Sequence, residues 1–282
     1  MNGSVRPREL NIPLDTGSQL RSLYESEGGV KEIFSSKVAD YVASRPDYPP
    51  ALFDFLRAEC NLRQGATVTD VGAGTGLLTH GLLSHGYSVV AIEPSSDMRA
   101  AADHLLTRFP GYRSAGGTAE SIPLPSSSLD LITAAQAFHW FEIESARAEF
   151  LRILRPHGKV ALIWNDRVLA DPLHVALNEL FAQYGGVKRS ALIAHQERGD
   201  VPKFFGGTVP VEMTWQHEHC LSELGILSLV FSRSYMPERN SPIGQEACRH
   251  VQQIFQRFAQ DGQLPVRYTT IAIVGRPHEA EV

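Results

Sequence analysis

The chain has 282 residues, of which 43% are hydrophobic and 20% charged, with a formal net charge of −5 and a pI near 6.1. This is enough chain and apolar content for a sizeable core, and the mild acidity excludes a broad phosphate-backbone surface, so nucleic acid is not an expected partner. No run of 18 apolar residues occurs, so no membrane span is expected, and three scattered cysteines, Cys60, Cys220 and Cys248, suit reduced thiols in a cytoplasmic protein.

Residues 1–29 are polar, lack an apolar signal-like stretch and read as a mobile leader. Residues 30–60 read as an N-terminal helical cap. Ile33, Phe34, Val38, Tyr41 and Val42 fall at helical spacing, Arg45-Pro46-Asp47-Tyr48-Pro49-Pro50 stops that helix, and Leu52 to Glu59 starts another. From 61 to 282 a single core is expected. Strands are predicted at 66–71, 87–93, 112–117, 129–136 and 159–164, with helices at 76–84, 97–109 and 142–154 between them and a turn at Pro156-His157-Gly158. Strands and helices alternating at this length give βαβ units and a parallel sheet. Beyond Trp164 the rhythm changes. A helix is predicted at 171–184, a glycine-rich polar stretch at 185–207, a strand at 209–220, helices at 222–231 and 241–260, and a last strand at 266–274.

The strongest local signal is Thr67-Val68-Thr69-Asp70-Val71-Gly72-Ala73-Gly74-Thr75-Gly76, a β-branched run entering three alternate glycines. Glycine serves where the backbone turns left-handed or lies close to a ligand, and ligands of open α/β sheets sit at the carboxyl ends of the strands. Glu93 ends the next predicted strand, where a carboxylate can accept both hydroxyls of a ribose. A dinucleotide site would show G-x-G-x-x-G around a pyrophosphate. Here the spacing is G-x-G-x-G, and Asp70 beside it disfavours a pyrophosphate but suits the sulfonium and ammonium of S-adenosylmethionine.

Asp70 to Gly76 resembles motif I of class I S-adenosylmethionine-dependent methyltransferases. Gly117-Thr118-Ala119-Glu120-Ser121-Ile122-Pro123-Leu124 resembles the segment that packs on adenine in that family, with Thr118 where its members usually carry aspartate. Leu151 to Lys159 is similar to the segment leading into their fifth strand, with His157 in place of the first glycine of L-x-P-G-G. A narrower likeness to the small-molecule branch that includes trans-aconitate methyltransferases rests on Tyr41–Pro49, Ala135–Phe141 and Ser232–Pro237. The resemblance implies a doubly wound α/β sheet of seven strands, mostly parallel with the last antiparallel, and a helical lid at about 221–262. It implies S-adenosyl-L-methionine as cofactor, held by Arg45 (toward its carboxylate), Tyr41, Asp70, Gly72, Ala73, Gly74, Gly76, Glu93, Pro94, Met98, Thr118, Ala119, Glu120 and Gln136.

Methyl transfer is an in-line displacement in which the protein aligns the reacting atoms and excludes water; a base is needed only if the acceptor must lose a proton. His139 follows the fourth predicted strand beside Trp140 and Phe141, placed either to act as acid, base or positioning group or to pack in an aromatic loop. Asn165 and Arg167 either orient a polar or carboxylate acceptor or form a capping turn. Phe34, Tyr48 and Trp140 either line an acceptor pocket or belong to the core. His217 and His219 share a strand face, but no third ligand stands near them in the sequence and no metal is expected. The expectation is a methyltransferase acting on a small organic molecule, as monomer or homodimer. The alternatives are a module that binds the cofactor without turnover, a non-methylating enzyme on the same fold, and an NAD-linked oxidoreductase.

Overall fold

The computed structural model describes residues 45–195 and 198–278. The leader and most of the N-terminal cap, with Phe34 and Tyr41, lie outside the described residues. One sheet contains β1 (Thr67–Val71), β2 (Ser88–Ile92), β3 (Tyr112–Ala115), β4 (Leu129–Ala135), β5 (Leu154–Arg167), β6 (Val211–Leu221) and β7 (Leu264–Gly275), in the order β3-β2-β1-β4-β5-β7-β6. The pairs β1–β2, β2–β3, β1–β4 and β4–β5 are parallel, and β7 is antiparallel to both β5 and β6. This is the expected seven-stranded, mostly parallel arrangement.

The central strands are covered on both faces, which explains their near-continuous apolar and β-branched sequences. Neighbouring residues of β4 point to opposite faces. Leu131 packs with Leu52 and Leu56 of α1 (Pro50–Glu59), Leu82 of α2 (Leu77–Ser84) and Leu106 of α3 (Ser96–Leu106). Ile132 packs on the other face with Phe150 of α4 (Ile143–Ile153) and Phe204 of α7 (Asp200–Phe205). A third core joins Phe181 of α5 (Pro172–Tyr184), Phe231 of α8 (Glu223–Phe231) and Val251 of α9 (Pro242–Phe258) to Tyr268 of β7. Among the described residues no helix is long and apolar enough to cross a membrane. The cysteines are free thiols, and burial pushes that of Cys60 up to about 12, away from nucleophilic use.

The structure departs from the sequence pattern at three places. The turn expected at Pro156-His157-Gly158 is absorbed into β5, where the register shifts between the pairs Leu129–Leu154 and Leu131–Lys159. At its other end β5 runs on through Asn165, Asp166 and Arg167, which pair with Thr270, Thr269 and Tyr268. The long partner strand keeps these three extended, so the capping-turn alternative for Asn165 and Arg167 is corrected. The helix cap is Asp171 instead, whose side chain accepts from the Leu173 N–H at 2.9 Å. The polar stretch 185–207 contains α6 (Gly186–His195) and α7, the latter fixed by the fully buried Phe204 and Phe205.

The order of strands turns back at β1, with β2 on one side and β4 on the other. The chain therefore leaves β1 and β4 for helices on opposite faces, α2 and α4, and a crevice lies at the carboxyl edge.

Candidate active site

The glycine turn leaves β1 at this crevice. Gly72 has φ +69°, and a Cβ there would lie 2.5 Å from that of Ala137, so the loops after β1 and β4 meet only because this position is glycine. Gly74 also has a positive φ (+58°), but a Cβ there would meet nothing within 4 Å, so its face is open. Its N–H donates to Glu93 Oε2 at 2.9 Å, and the Ser95 N–H donates to Oε1 at 2.9 Å. Two backbone donors thus hold the Glu93 carboxylate, which is only 8% exposed.

These groups line a cavity of about 350 Å³. It gathers Gly72, Gly74, Glu93, Pro94 and Met98 from the first half of the sheet, and Thr118, Ala119, Glu120 and Gln136 from the segments after β3 and β4. Trp140, expected on the acceptor side, lines this cavity instead. Its carboxylates are Glu93, Glu120 and Glu142, and among the described residues no arginine or lysine lines it. Ala73 and Gly76 are not on its wall; a Cβ on Gly76 would meet Leu106 Cδ1 at 2.5 Å, so this glycine serves the seating of α3.

Asp70 is likewise behind the wall. It is 1% exposed, and its carboxylate accepts from Thr79 Oγ1 at 2.7 Å and Thr133 Oγ1 at 2.9 Å, tying β1 to α2 and β4. Burial pushes its pKa up to about 6, with the hydroxyl hydrogen bonds opposing and the charge of Glu93 adding. The folded state therefore holds the proton more tightly than the unfolded chain, whose aspartate titrates near 3.8. The stability this supplies is complete below that value and is lost as pH rises through about 6. Thermal melts should show the advantage of Asp70→Asn over the parent protein growing across that interval; a constant difference would contradict it.

A second cavity, about 270 Å³, shares Gln136 and Phe141 with the first. Gln136 adopts φ +56°, unusual for a side-chain-bearing residue. Its N–H donates to Ile163 O at 2.9 Å and its Nε2 to Asn165 O at 3.1 Å, which fixes the strained backbone between the cavities. Tyr48, His139, Asn165 and Arg167, all expected near an acceptor, line the second cavity. Arg45, expected at the cofactor carboxylate, lines it too. His139 sits on a one-turn helix, Phe138–Trp140. Phe138 anchors that turn edge-on to Phe141, Trp164 and Phe204, and His139 lines the cavity.

The sequence pattern did not single out Arg198, Arg233 or Tyr268, which also line this cavity. Arg198 pairs with Asp166 at 2.6 Å and lies 4.6 Å from the Trp164 ring centre. Arg233 lies within the Ser232–Pro237 segment noted above. Tyr268 had no sequence signal because its position depends on pairing with Arg167. His217 stacks on Tyr268 at 5.7 Å, and among the described residues no group of three histidine, cysteine or acidic side chains is placed to hold a metal.

The methyltransferase-domain family matches residues 69–162, which hold the glycine turn, Glu93, Thr118 and Gln136. An uncharacterized methyltransferase of Schizosaccharomyces pombe, C25B8.09, is 39% identical over 135 residues, 48% of this chain; the match spans about half, 53%, of the fission yeast protein. A solved structure, that of a proposed type II methyltransferase from Anaeromyxobacter dehalogenans, aligns with a TM-score of 0.59 at 25% identity, covering 83% of this chain and 99% of that one. The uncharacterized methyltransferase Rv3342 of Mycobacterium tuberculosis is 32% identical over 243 residues, 85% of this chain and 93% of that protein. Over nearly its whole length, then, the chain belongs to the class I S-adenosylmethionine-dependent methyltransferases.

Proposed function

We propose that the protein transfers a methyl group from S-adenosyl-L-methionine, held in the first cavity, to a small organic molecule held in the second. The observation that carries this reading is the charge of the first cavity. Three carboxylates and no arginine or lysine among its described lining residues suit a nucleoside bearing a sulfonium and disfavour a pyrophosphate. When bound, the cofactor supplies an electrophilic methyl carbon already activated by positive sulfur. Glu93 would accept the ribose hydroxyls. Gly74 leaves room for close approach, while Thr118 and Ala119 flank the base. Gln136 and Phe141 form the wall at which donor and acceptor meet.

The small size of the second cavity supports a small acceptor. All three segments with the narrower likeness to the small-molecule branch contribute to it, through Arg45 and Tyr48, through Gln136, Phe138, His139 and Phe141, and through Arg233. In this reading α8 and α9 form the lid side of the acceptor site, His139 takes or positions the acceptor's proton, and the enzyme works in the cytoplasm.

Incubation with isotopically labelled methyl donor and a panel of small acceptors should give mass-shifted product, and calorimetry should show S-adenosylmethionine binding in preference to NAD. Cofactor binding without turnover across a broad panel would leave a binding module, and tight NAD binding alone would overturn the reading. Glu93→Ala should weaken cofactor binding by roughly 1.5–3 kcal/mol, the range for hydrogen bonds to a charged group. An unchanged dissociation constant would remove Glu93 from the site.

A further inference from the structure

Ser95-Ser96-Asp97-Met98-Arg99 opens α3 beyond the carboxyl end of β2. Ser95 is the N-cap, accepting from the Met98 N–H at 3.3 Å, and Asp97 puts a negative charge in the first turn; both suit a helix start. Arg99 does not, because a cation this close to the N-terminus opposes the helix dipole. Its side chain reaches back past the cap. Nη1 donates to Glu93 O at 2.7 Å and to Pro94 O at 3.1 Å.

The guanidinium has a second support. A Cβ on Gly116, the residue after β3, would lie 3.5 Å from both Cζ and Nη1 of Arg99 and 3.7 Å from Nη2. Three nearly equal distances put that point over the face of the planar group, not at its edge. The face thus packs on the segment after β3 while the edge holds the segment after β2. The residues next to these contacts, Pro94 and Ser95 on one side and Gly117 and Thr118 on the other, line the first cavity.

The hydrogen bonds converge on Glu93. Its N–H donates to Ala115 O at 3.2 Å, its carbonyl accepts from Arg99, and its carboxylate accepts from the Gly74 and Ser95 N–H groups at 2.9 Å each. A hydrogen bond from a charged donor is roughly twice as strong as a neutral one, so Arg99 is a firm tie on this backbone. Arg99 itself lines neither cavity. It can act on a ligand only through the residues it holds.

Resting on the reading that the first cavity holds the methyl donor, we propose that Arg99 is a positioning residue for that donor: it fixes the main chain at Glu93 and Pro94 so that the Glu93 carboxylate meets the ribose hydroxyls. Its effect belongs to donor affinity and passes through those hydroxyls.

The probes are S-adenosylhomocysteine and its 2′,3′-dideoxy analogue, titrated into the full-length protein. Arg99→Met should weaken S-adenosylhomocysteine about tenfold and the dideoxy analogue less than about twofold. In a Glu93→Ala background the same substitution should also cost less than about twofold, because residues that act as one unit are not additive. Arg99→Lys, whose ammonium can donate to both carbonyls but has no planar face for Gly116, should recover part of the affinity. It also keeps the cycle measurable if the methionine variant does not fold. Under turnover, Arg99→Met should raise the donor KM about tenfold with kcat within about twofold of the parent, as when ground state and transition state lose the same binding.

A purely structural role would weaken both ligands alike and add to the loss from Glu93→Ala. Either result overturns the proposal, as does unchanged S-adenosylhomocysteine affinity in Arg99→Met, or a parent protein that binds the two ligands equally. Binding of S-adenosylhomocysteine without methyl transfer across the acceptor panel would sink the methyl-transfer reading and leave this proposal standing; absence of binding overturns both.

Discussion

His139→Ala is expected to lower turnover roughly 10²–10⁴-fold, the usual contribution of a positioned acid or base, with cofactor affinity unchanged. The side chain lines only the second cavity, so its removal leaves the wall around Glu93 and Gly74 untouched. The turn that carries it is anchored by Phe138, so the backbone should keep its path. Two readouts separate proton handling from packing. Imidazole added to the solution should restore part of the alanine variant's rate, and His139→Gln, which preserves bulk and hydrogen bonding, should remain slow. Near-normal turnover in the alanine variant would assign His139 to packing against Trp140, 4.9 Å away between ring centres.

The largest loss of stability is expected from Phe150→Ala. Phe150 is fully buried on α4 and meets Phe141 and Phe204 edge-on, at 5.9 and 5.7 Å between ring centres. Truncating a phenylalanine in such a core costs about 3–5 kcal/mol, a large part of the 5–15 kcal/mol typical of a folded domain. Urea melts should show the midpoint falling with the slope unchanged; a loss under about 1 kcal/mol would mean that the site collapses to fill the hole. Phe141 lines both cavities, so this substitution should also weaken ligands on both sides of the shared wall.

The sheet and much of the first cavity's lining were legible in the sequence because their signals are local. Alternating glycines, a β-branched run and an acidic residue one βα unit later lie within some 25 residues of one another. Thr118 and Gln136 were readable for the same reason, since each sits at the end of its own strand segment. Asp70 shows where local reading stops. A carboxylate before the glycines looks poised for a cationic ligand, but two threonine hydroxyls, nine and 63 residues away, turn it into a buried tie between elements. The acceptor side was harder for a related reason. Arg167 and Tyr268 become neighbours only through antiparallel pairing across a hundred residues, and Arg233 joins them only through packing on Phe181. The helix at Asp200–Phe205 was hidden because six residues are too few to show a helical period.

The strained glutamine between the cavities has a thermodynamic consequence. Gln136 lines a cavity on each side and is fastened to the carbonyls of Ile163 and Asn165. A ligand that shifts it from one side changes the space offered on the other, which makes the two binding equilibria a single linked system. Linkage is reciprocal: whatever factor the methyl donor applies to acceptor affinity, the acceptor applies to donor affinity. The spent donor obeys the same rule, so the affinity of the methylated product depends on whether S-adenosylhomocysteine has already left.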